Sequence, residues 1–344
     1  MSEKDTKSQL DLNALDAYLS AHLDGYQGPL EATKFAIGQS NPTFELRTPA
    51  KTYVLRRKPP GVLLKSAHAV DREFRVQTAL ADSAVPVPRM MLLCEDDDVI
   101  GSAFYVMERL EGRVFLEPTM DDVDKATRTG VLDEMNRVLA DLHEVNTDAV
   151  GLSDYGPPGN YFERQIARWT KQYRASETAT VPEMDELIVA LETSIPEDDG
   201  QRTLVHGDYR IDNLMFEQNG TRCIGVLDWE LSTIGHPYAD LAAVIMQWQL
   251  PPGKEGRGLA GVDRQALGLP SDQEFIERYC ERRGIPGIDN FGFYLAFNFF
   301  RMAGILQGVY KRALDGNASD PKRAQVFGAY VPIFAQHGLA ALKS

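Results

Sequence analysis

The chain is poor in the features that would place it in a membrane, in an oxidising compartment or on nucleic acid. It has three cysteines, Cys94, Cys223 and Cys280, which form neither a CxxC pair nor an even set. A disulfide framework is therefore not expected, and the thiols read as small core residues in a reducing compartment. No apolar run approaches the roughly 20 residues that a bilayer-spanning helix needs. Residues Met1–Asp11 are polar and mixed in charge, so they do not read as a secretory signal, and a cytoplasmic location without membrane attachment is expected. Basic residues are in deficit, 36 against 50 acidic, for a net charge of −14. That is the opposite of the electrostatic footprint of a nucleic-acid binder. Internal repeats and low-complexity tracts are also missing.

What is present suggests two lobes. Residues 1–110 carry 13 basic and 15 acidic side chains, and the remainder carries 23 and 35. The acid excess of the second part reads as a solvated surface, with a preference for a cationic substrate as the alternative. The first 110 residues predict mostly sheet. After a helix over 9–23, strands are expected near 33–38, 42–48, 51–57, 90–94 and 103–107, with one helix over 67–80. Val85-Pro86-Val87-Pro88 ends that helix, because a residue before proline is pushed towards extended geometry. Residues 111–344 predict mostly helix, near 121–144, 160–174, 183–194, 238–248, 272–283, 290–313 and 322–341. Short strands are expected near 204–206, 213–217 and 222–228, and a mobile loop over Gly253–Gly261.

Those short strands carry the chemistry. His206-Gly207-Asp208-Tyr209-Arg210-Ile211-Asp212-Asn213 is followed by Leu227-Asp228-Trp229-Glu230. An Asp, an Asn five positions later and a second Asp beyond a hairpin are the residue types a phosphoryl-transfer site needs. One carboxylate, Asp208, orients and deprotonates an incoming hydroxyl, while hard oxygens from Asn213 and Asp228 hold Mg²⁺ against nucleotide phosphates. The plainer readings are a capping Asp for Asp208, an Asx turn for Asn213 and a strand-end Asp for Asp228. No second His or Cys stands near His206 at metal-ligand spacing, so a zinc site is not expected.

These phrases resemble the aminoglycoside phosphotransferase and choline kinase-like family, relatives of the protein kinases, from about Thr33 to Leu342. The resemblance implies an α+β, two-lobed protein-kinase-like fold. A small antiparallel-sheet lobe (1–110) would bind nucleotide, and a helical lobe (111–344) would hold the catalytic loop and substrate, with ATP·Mg²⁺ in the cleft. By the same resemblance His206 supports its loop by packing, Asp240 braces the loop backbone, and Arg210 neutralises charge on the transferred phosphoryl group. A salt bridge is the alternative for Arg210. Gly38-Gln39-Ser40-Asn41-Pro42-Thr43 stands where kinases carry a Gly-rich loop, so Ser40 and Asn41 are candidates to cover phosphates.

Strand 51–57 puts Val54 and Arg56 on one face, where the kinase pattern Val-Ala-Ile-Lys has its adenine-packing residue and phosphate-binding Lys. Arg56 replaces that Lys, with Glu73 as its expected partner and Arg57 as its rival. A guanidinium is not equivalent to an ammonium. Phe104–Gly112 resembles the hinge between lobes, with the Glu108 carbonyl and Leu110 N–H reading the adenine edge and Gly112 permitting motion.

Only eleven residues separate Asp228 from Asp240, which leaves little room for a peptide-docking loop and disfavours a protein kinase. The phrases Ser40–Thr43, Val54–Pro59 and Gly207–Arg210 look most like the branch of kinase-like domains found alongside acyl-CoA dehydrogenases. The expected activity is γ-phosphoryl transfer from ATP, with GTP open, to a small hydroxylated substrate such as an aminoglycoside or a hydroxyacyl compound, by a monomer or homodimer. The rival reading is a non-catalytic nucleotide-binding module. Asn298, Arg301, Gln307 and Tyr310 are candidates to line the substrate pocket.

Overall fold

The computed structural model describes residues 10–35, 41–59, 69–254, 256–316 and 321–343, side chains of 321–323 excepted. The chain divides into two compact units. One comprises residues 1–115, 148–152 and 212–232, and the other comprises 116–147, 153–211 and 233–344.

The first unit is built on a five-stranded antiparallel sheet of β1 (Glu31–Lys34), β2 (Thr43–Arg47), β3 (Thr52–Arg57), β4 (Met90–Cys94) and β5 (Phe104–Glu108), in the order β1-β2-β3-β5-β4. β1 begins two residues before the expected strand, and 36–40 lie outside the described residues. Both faces of the sheet are buried at its central strands β3 and β5, which carry apolar residues at successive positions. Tyr53, Leu55, Phe104 and Val106 pack with Phe44 and Leu46 on Leu15 and Leu19 of α1 (Leu12–His22). Asp11 caps this helix by accepting from the Ala14 N–H. On the other face, Ala103 and Tyr105 pack with Val70 and Phe74 of α2 (Val70–Leu80). The period-2 alternation of β3 therefore sends Arg56 towards α2 and Arg57 towards α1. A second, three-stranded sheet of this unit joins β6 (Arg113–Val114), β8 (Leu214–Phe216) and β9 (Cys223–Val226).

The second unit is helical. It contains α3 (Lys125–Glu144), α4 (Tyr161–Ser176), α5 (Pro182–Thr193), α6 (Tyr238–Trp248), the short α7 (Arg264–Leu267), α8 (Asp272–Arg283), α9 (Phe291–Leu314) and α10 (Pro321–Ala341). Helix α9 is apolar nearly all round because it packs against α10, α4 and α6. Ser271 and Glu274 form a reciprocal capping box at the start of α8, and Gly284 ends it in the left-handed region. A two-stranded ribbon pairs β7 (Thr203–Val205) with β10 (Thr233–Gly235). The described part of Gly253–Gly261 is tied down by backbone hydrogen bonds: Arg257 N–H to Gly253 O, Gly258 N–H to Pro251 O and Leu259 N–H to Trp248 O. No helix among the described residues is long and apolar enough to cross a membrane.

Candidate active site

In the first unit, the β8–β9 hairpin sets the two expected metal ligands. A one-turn 3₁₀ helix (Ile211–Asn213) runs directly into β8. Beyond the Leu214–Val226 pair, the Leu227 N–H donates to the Asn213 carbonyl at 2.8 Å. Asn213 and Asp228 thus flank the open end of one hairpin. Asp228 has φ 65°, in the left-handed region that Asp tolerates better than most residues. Trp229 anchors the turn, since its ring is buried and its Nε1–H donates to the Val226 carbonyl at 2.9 Å.

Arg56 reaches this turn from β3. Its Nε lies 3.0 Å from Glu73 Oε2, and its Nη2 lies 2.5 Å from Asp228 Oδ1 and 3.6 Å from Glu230 Oε2. The expected Arg56–Glu73 pair is present, and the fork adds two carboxylates from the far end of the sequence. Burial opposes the Arg56 charge, but Glu73, Tyr105, Asp228 and Glu230 outweigh it and hold its pKa above the ordinary value. Glu73 is itself almost wholly buried. It accepts from Asn41 Nδ2 at 2.7 Å and from the Tyr105 hydroxyl at 3.1 Å. Burial pushes its carboxyl up to about 7; Arg56 pulls down, while Asp228 and Glu230 add to the rise. Arg57, the rival for the phosphate role, is buried on the opposite face, donating to the Ile100 carbonyl at 3.1 Å and lying over the Phe44 ring.

The remaining nucleotide-side candidates are distributed as follows. Ser40 lies outside the described residues, and Asn41 is buried with its amide turned to Glu73. Glu108 ends β5, and its carboxylate accepts from the Arg89 N–H at 2.8 Å. The Leu110 side chain closes over Gly225, where a Cβ would meet it at 2.4 Å. Gly112 has a packing reason of its own: a Cβ there would stand 2.3 Å from the Phe216 carbonyl oxygen.

In the second unit, the loop after β7 carries Asp208 and Arg210. Their side chains pair, Arg210 Nε to Asp208 Oδ1 at 3.2 Å, and both are about one-third exposed. Asp208 is thus one ion-pair partner of Arg210. Gly207 adopts φ 82°, and the loop is braced from within. Asp240 accepts from the His206 N–H at 2.6 Å and the Gly207 N–H at 2.9 Å, while Arg301 Nη2 donates to the Gly207 carbonyl at 2.8 Å. Tyr209 is buried, with its hydroxyl donating to the Met135 carbonyl. His206 is buried, and its Nδ1 accepts from the Asp208 N–H at 3.3 Å.

Behind Asp240 stands His143, which the sequence reading passed over. Arg283 Nη1 donates to the Tyr279 hydroxyl, the hydroxyl donates to His143 Nδ1, and Nε2 is left to carry the proton 3.5 Å from Asp240. Burial keeps His143 below its usual pKa, hence neutral. Burial works against the Asp240 charge too, but His143, His206 and the loop N–H groups win and hold its carboxyl below the ordinary value.

Of the substrate-lining candidates, Asn298 and Gln307 are buried and serve as ties, to the Ala239 and Tyr294 carbonyls and to the Ser176 carbonyl. Arg301 braces Gly207 as described, and the Tyr310 ring lies against Gly328.

Asn213, Asp228 and Glu230 are hard oxygen donors at the open end of one hairpin, the donor chemistry that Mg²⁺ prefers. Comparison with known proteins agrees with the fold. The family model described as "Phosphotransferase enzyme family" matches residues 31–285. Acyl-CoA dehydrogenase family member 10 of Mus musculus is 45% identical over 315 residues, 91% of this chain, which in turn spans only 29% of that protein's length. A crystal structure from Ralstonia eutropha, provisionally assigned as an aminoglycoside phosphotransferase, is 48% identical with a TM-score of 0.89, covering 97% of this chain and 99% of that one. More distant is the aminoglycoside phosphotransferase APH(4)-Ia in its ternary complex with AMP-PNP and hygromycin B. It has 17% identity and a TM-score of 0.62, covers 94% of this chain and 99% of that one, and shares the fold. Matched along most of its length, and carrying the branch phrases that pointed to relatives of this kind, the chain belongs to the phosphotransferase enzyme family.

Proposed function

We propose that the protein is an ATP- and Mg²⁺-dependent small-molecule kinase that phosphorylates a hydroxyl group. The observation that carries this reading is the Arg56 fork, which ties the Glu73 of α2 to the turn bearing Asp228. In a kinase-type site the phosphate-side cation paired to a helix carboxylate stands beside the metal-binding Asp, and the fork supplies that juxtaposition.

Asp228 and the Asn213 amide oxygen would hold Mg²⁺, which when bound would supply positive charge against the nucleotide phosphates. Asp208 would accept the proton of the substrate hydroxyl as its oxygen bonds to the γ-phosphorus and the bond to the β,γ-bridging oxygen breaks. A loose transition state asks Asp208 for alignment more than for basicity, and its brace through Gly207 and Asp240 supplies alignment. Arg210, paired with Asp208, would meet the negative charge on the transferred group. For the acceptor, the acyl-CoA dehydrogenase name of the mouse relative favours a hydroxyacyl compound over an aminoglycoside.

Thermal-shift titration with ATP, with and without Mg²⁺, tests the nucleotide half, because a ligand of the folded state must raise its stability. A Mg²⁺-dependent rise in wild type that is lost in Asp228→Ala is expected. No rise in the folded wild type would leave a non-catalytic module. With a turned-over hydroxyl substrate in hand, Asp208→Asn is expected to lower kcat by about 10²- to 10⁴-fold. Unchanged turnover would remove Asp208 from the mechanism.

A further inference from the structure

We infer that Arg56 is the resident counter-cation of the metal-binding turn: in the nucleotide-free protein its guanidinium holds Asp228 and Glu230, and it sets the metal affinity because a divalent cation must displace it. This rests on the metal assignment proposed above and goes beyond it, since that assignment requires nothing of Arg56 except phosphate binding.

Charge makes the first part of the case. Glu73, Asp228 and Glu230 all face Arg56, so three carboxylates surround one guanidinium. With all of them ionised, the group lacks two positive charges, which is what a divalent cation carries. Arg56 and Glu73 are well buried, while Asp228 and Glu230 are one-third and one-quarter exposed. The deep pair is therefore fixed, and the outer pair is open to exchange.

Fork geometry makes the second part. Arg56 grips Glu73 through Nε and Asp228 through Nη2. Two nitrogens set apart on one rigid plane make both ion-pair contacts at once, whereas a lysine ammonium is a compact point charge without that fork. Arg56→Lys is therefore expected to keep the deep pair with Glu73 and to loosen the outer one with Asp228. The turn itself does not depend on Arg56. Asp228 is carried by the hairpin bond from Leu227 to Asn213 and by the Trp229 anchor, so freeing its carboxylate leaves the backbone in place.

The test is Mn²⁺ binding to the nucleotide-free protein, read from the electron paramagnetic resonance signal of free Mn²⁺. The proteins are wild type, Arg56→Lys, Asp228→Ala and the double variant. Arg56→Lys is expected to bind Mn²⁺ roughly threefold or more tightly than wild type, what a part-exposed ion pair is worth. Asp228→Ala is expected to weaken binding and to cancel that gain in the double variant. An Arg56→Lys Kd equal to wild type, with Asp228→Ala still weakening binding, would overturn the counter-cation role and leave the metal site standing. If Asp228→Ala binds Mn²⁺ as wild type does, the metal assignment itself fails and this inference goes with it. Should Arg56→Lys not fold, Arg56→Gln carries the same expectations, since it also releases Asp228.

Discussion

Two buried carboxylates, one in each unit, have nearly the same exposure and opposite character. Glu73 and Asp240 are each about 1% exposed. Asp240 is met by two backbone N–H groups and backed by a neutral histidine, and its pKa lies below the ordinary 3.8. Glu73 accepts from the Asn41 amide and the Tyr105 hydroxyl, but the one cation that answers its charge is a guanidinium that two further carboxylates share, and burial carries it up to about 7. The difference lies in the donors. Backbone donors of a braced loop cannot leave, so the charge of Asp240 is permanently compensated. The Arg56 donors can be drawn elsewhere, so the charge of Glu73 is conditional. A carboxylate answered by the backbone holds a structure together, and one answered by a contested cation is suited to a site that changes its charge state when a ligand arrives.

The comparison is broken most directly at Asp240. Asp240→Asn keeps one acceptor but turns an amide N–H₂ towards the other loop N–H donor, leaving a buried polar group unsatisfied. The expected cost is about 3 kcal/mol, in the range for a buried charge that loses its pairing, read as a lower urea midpoint at unchanged slope. Glu73→Gln is expected to cost less at pH 7.5, because it also removes a charge from a crowded acidic group. A larger loss from Glu73→Gln would reverse the assignment of structural and conditional roles.

A smaller and more specific effect is the opposite pH response of the two groups. Glu73 has a folded pKa of about 7 against an ordinary 4.5, so between those values the folded state binds more protons than the unfolded. Its contribution is fully present below about 4.5 and is lost as pH rises through about 7. Asp240 is depressed below 3.8, so its contribution is full above 3.8 and is lost as pH falls below it. Melting temperatures of wild type and both variants against pH separate these. Wild type is expected to lose ground to Glu73→Gln as pH rises from 5 to 7.5, and to lose its advantage over Asp240→Asn only in acid. Parallel curves for wild type and Glu73→Gln would show that Arg56 compensates Glu73 as fully as the loop compensates Asp240.

Much of this was legible in the sequence, for identifiable reasons. The strand over 52–57 shows itself by its β-formers, and alternation within it separates Arg56 from Arg57 before any coordinates exist. Asp208, Asn213, Asp228 and Asp240 stand out because their spacing is rigid. What stayed hidden is non-local. β6 and β10 have two and three residues, too few for any periodicity, and they exist because Phe216 and Val205 offer partners far along the chain. The second arm of the Arg56 fork spans 172 positions, and nothing local marks it. His143 did have a signal, a polar residue one helical turn after Leu139 on the buried face of α3, where an ionisable ring needs a partner. Asn41 was read as facing phosphates from its place in a loop, which says where the backbone goes and nothing of where the amide turns.

The smallest expected effect tests that last point. Asn41 is fully buried and donates to Glu73 Oε1 at 2.7 Å. Removing a hydrogen bond to the charged form of an acid raises its pKa. Asn41→Ala is therefore expected to cost about 1 kcal/mol and to push the upper edge of the Glu73 pH window higher. The mild drop in stability at neutral pH should then shrink at pH 5, where Glu73 is protonated and the Asn41 amide has less charge to answer. If Asn41 instead serves nucleotide phosphates, the variant would leave the pH window where it is and reduce the ATP-induced rise in melting temperature. A moved window with an intact ATP response makes Asn41 part of the support for Glu73, and places the conditional carboxylate under the control of a neutral residue as well as a cation.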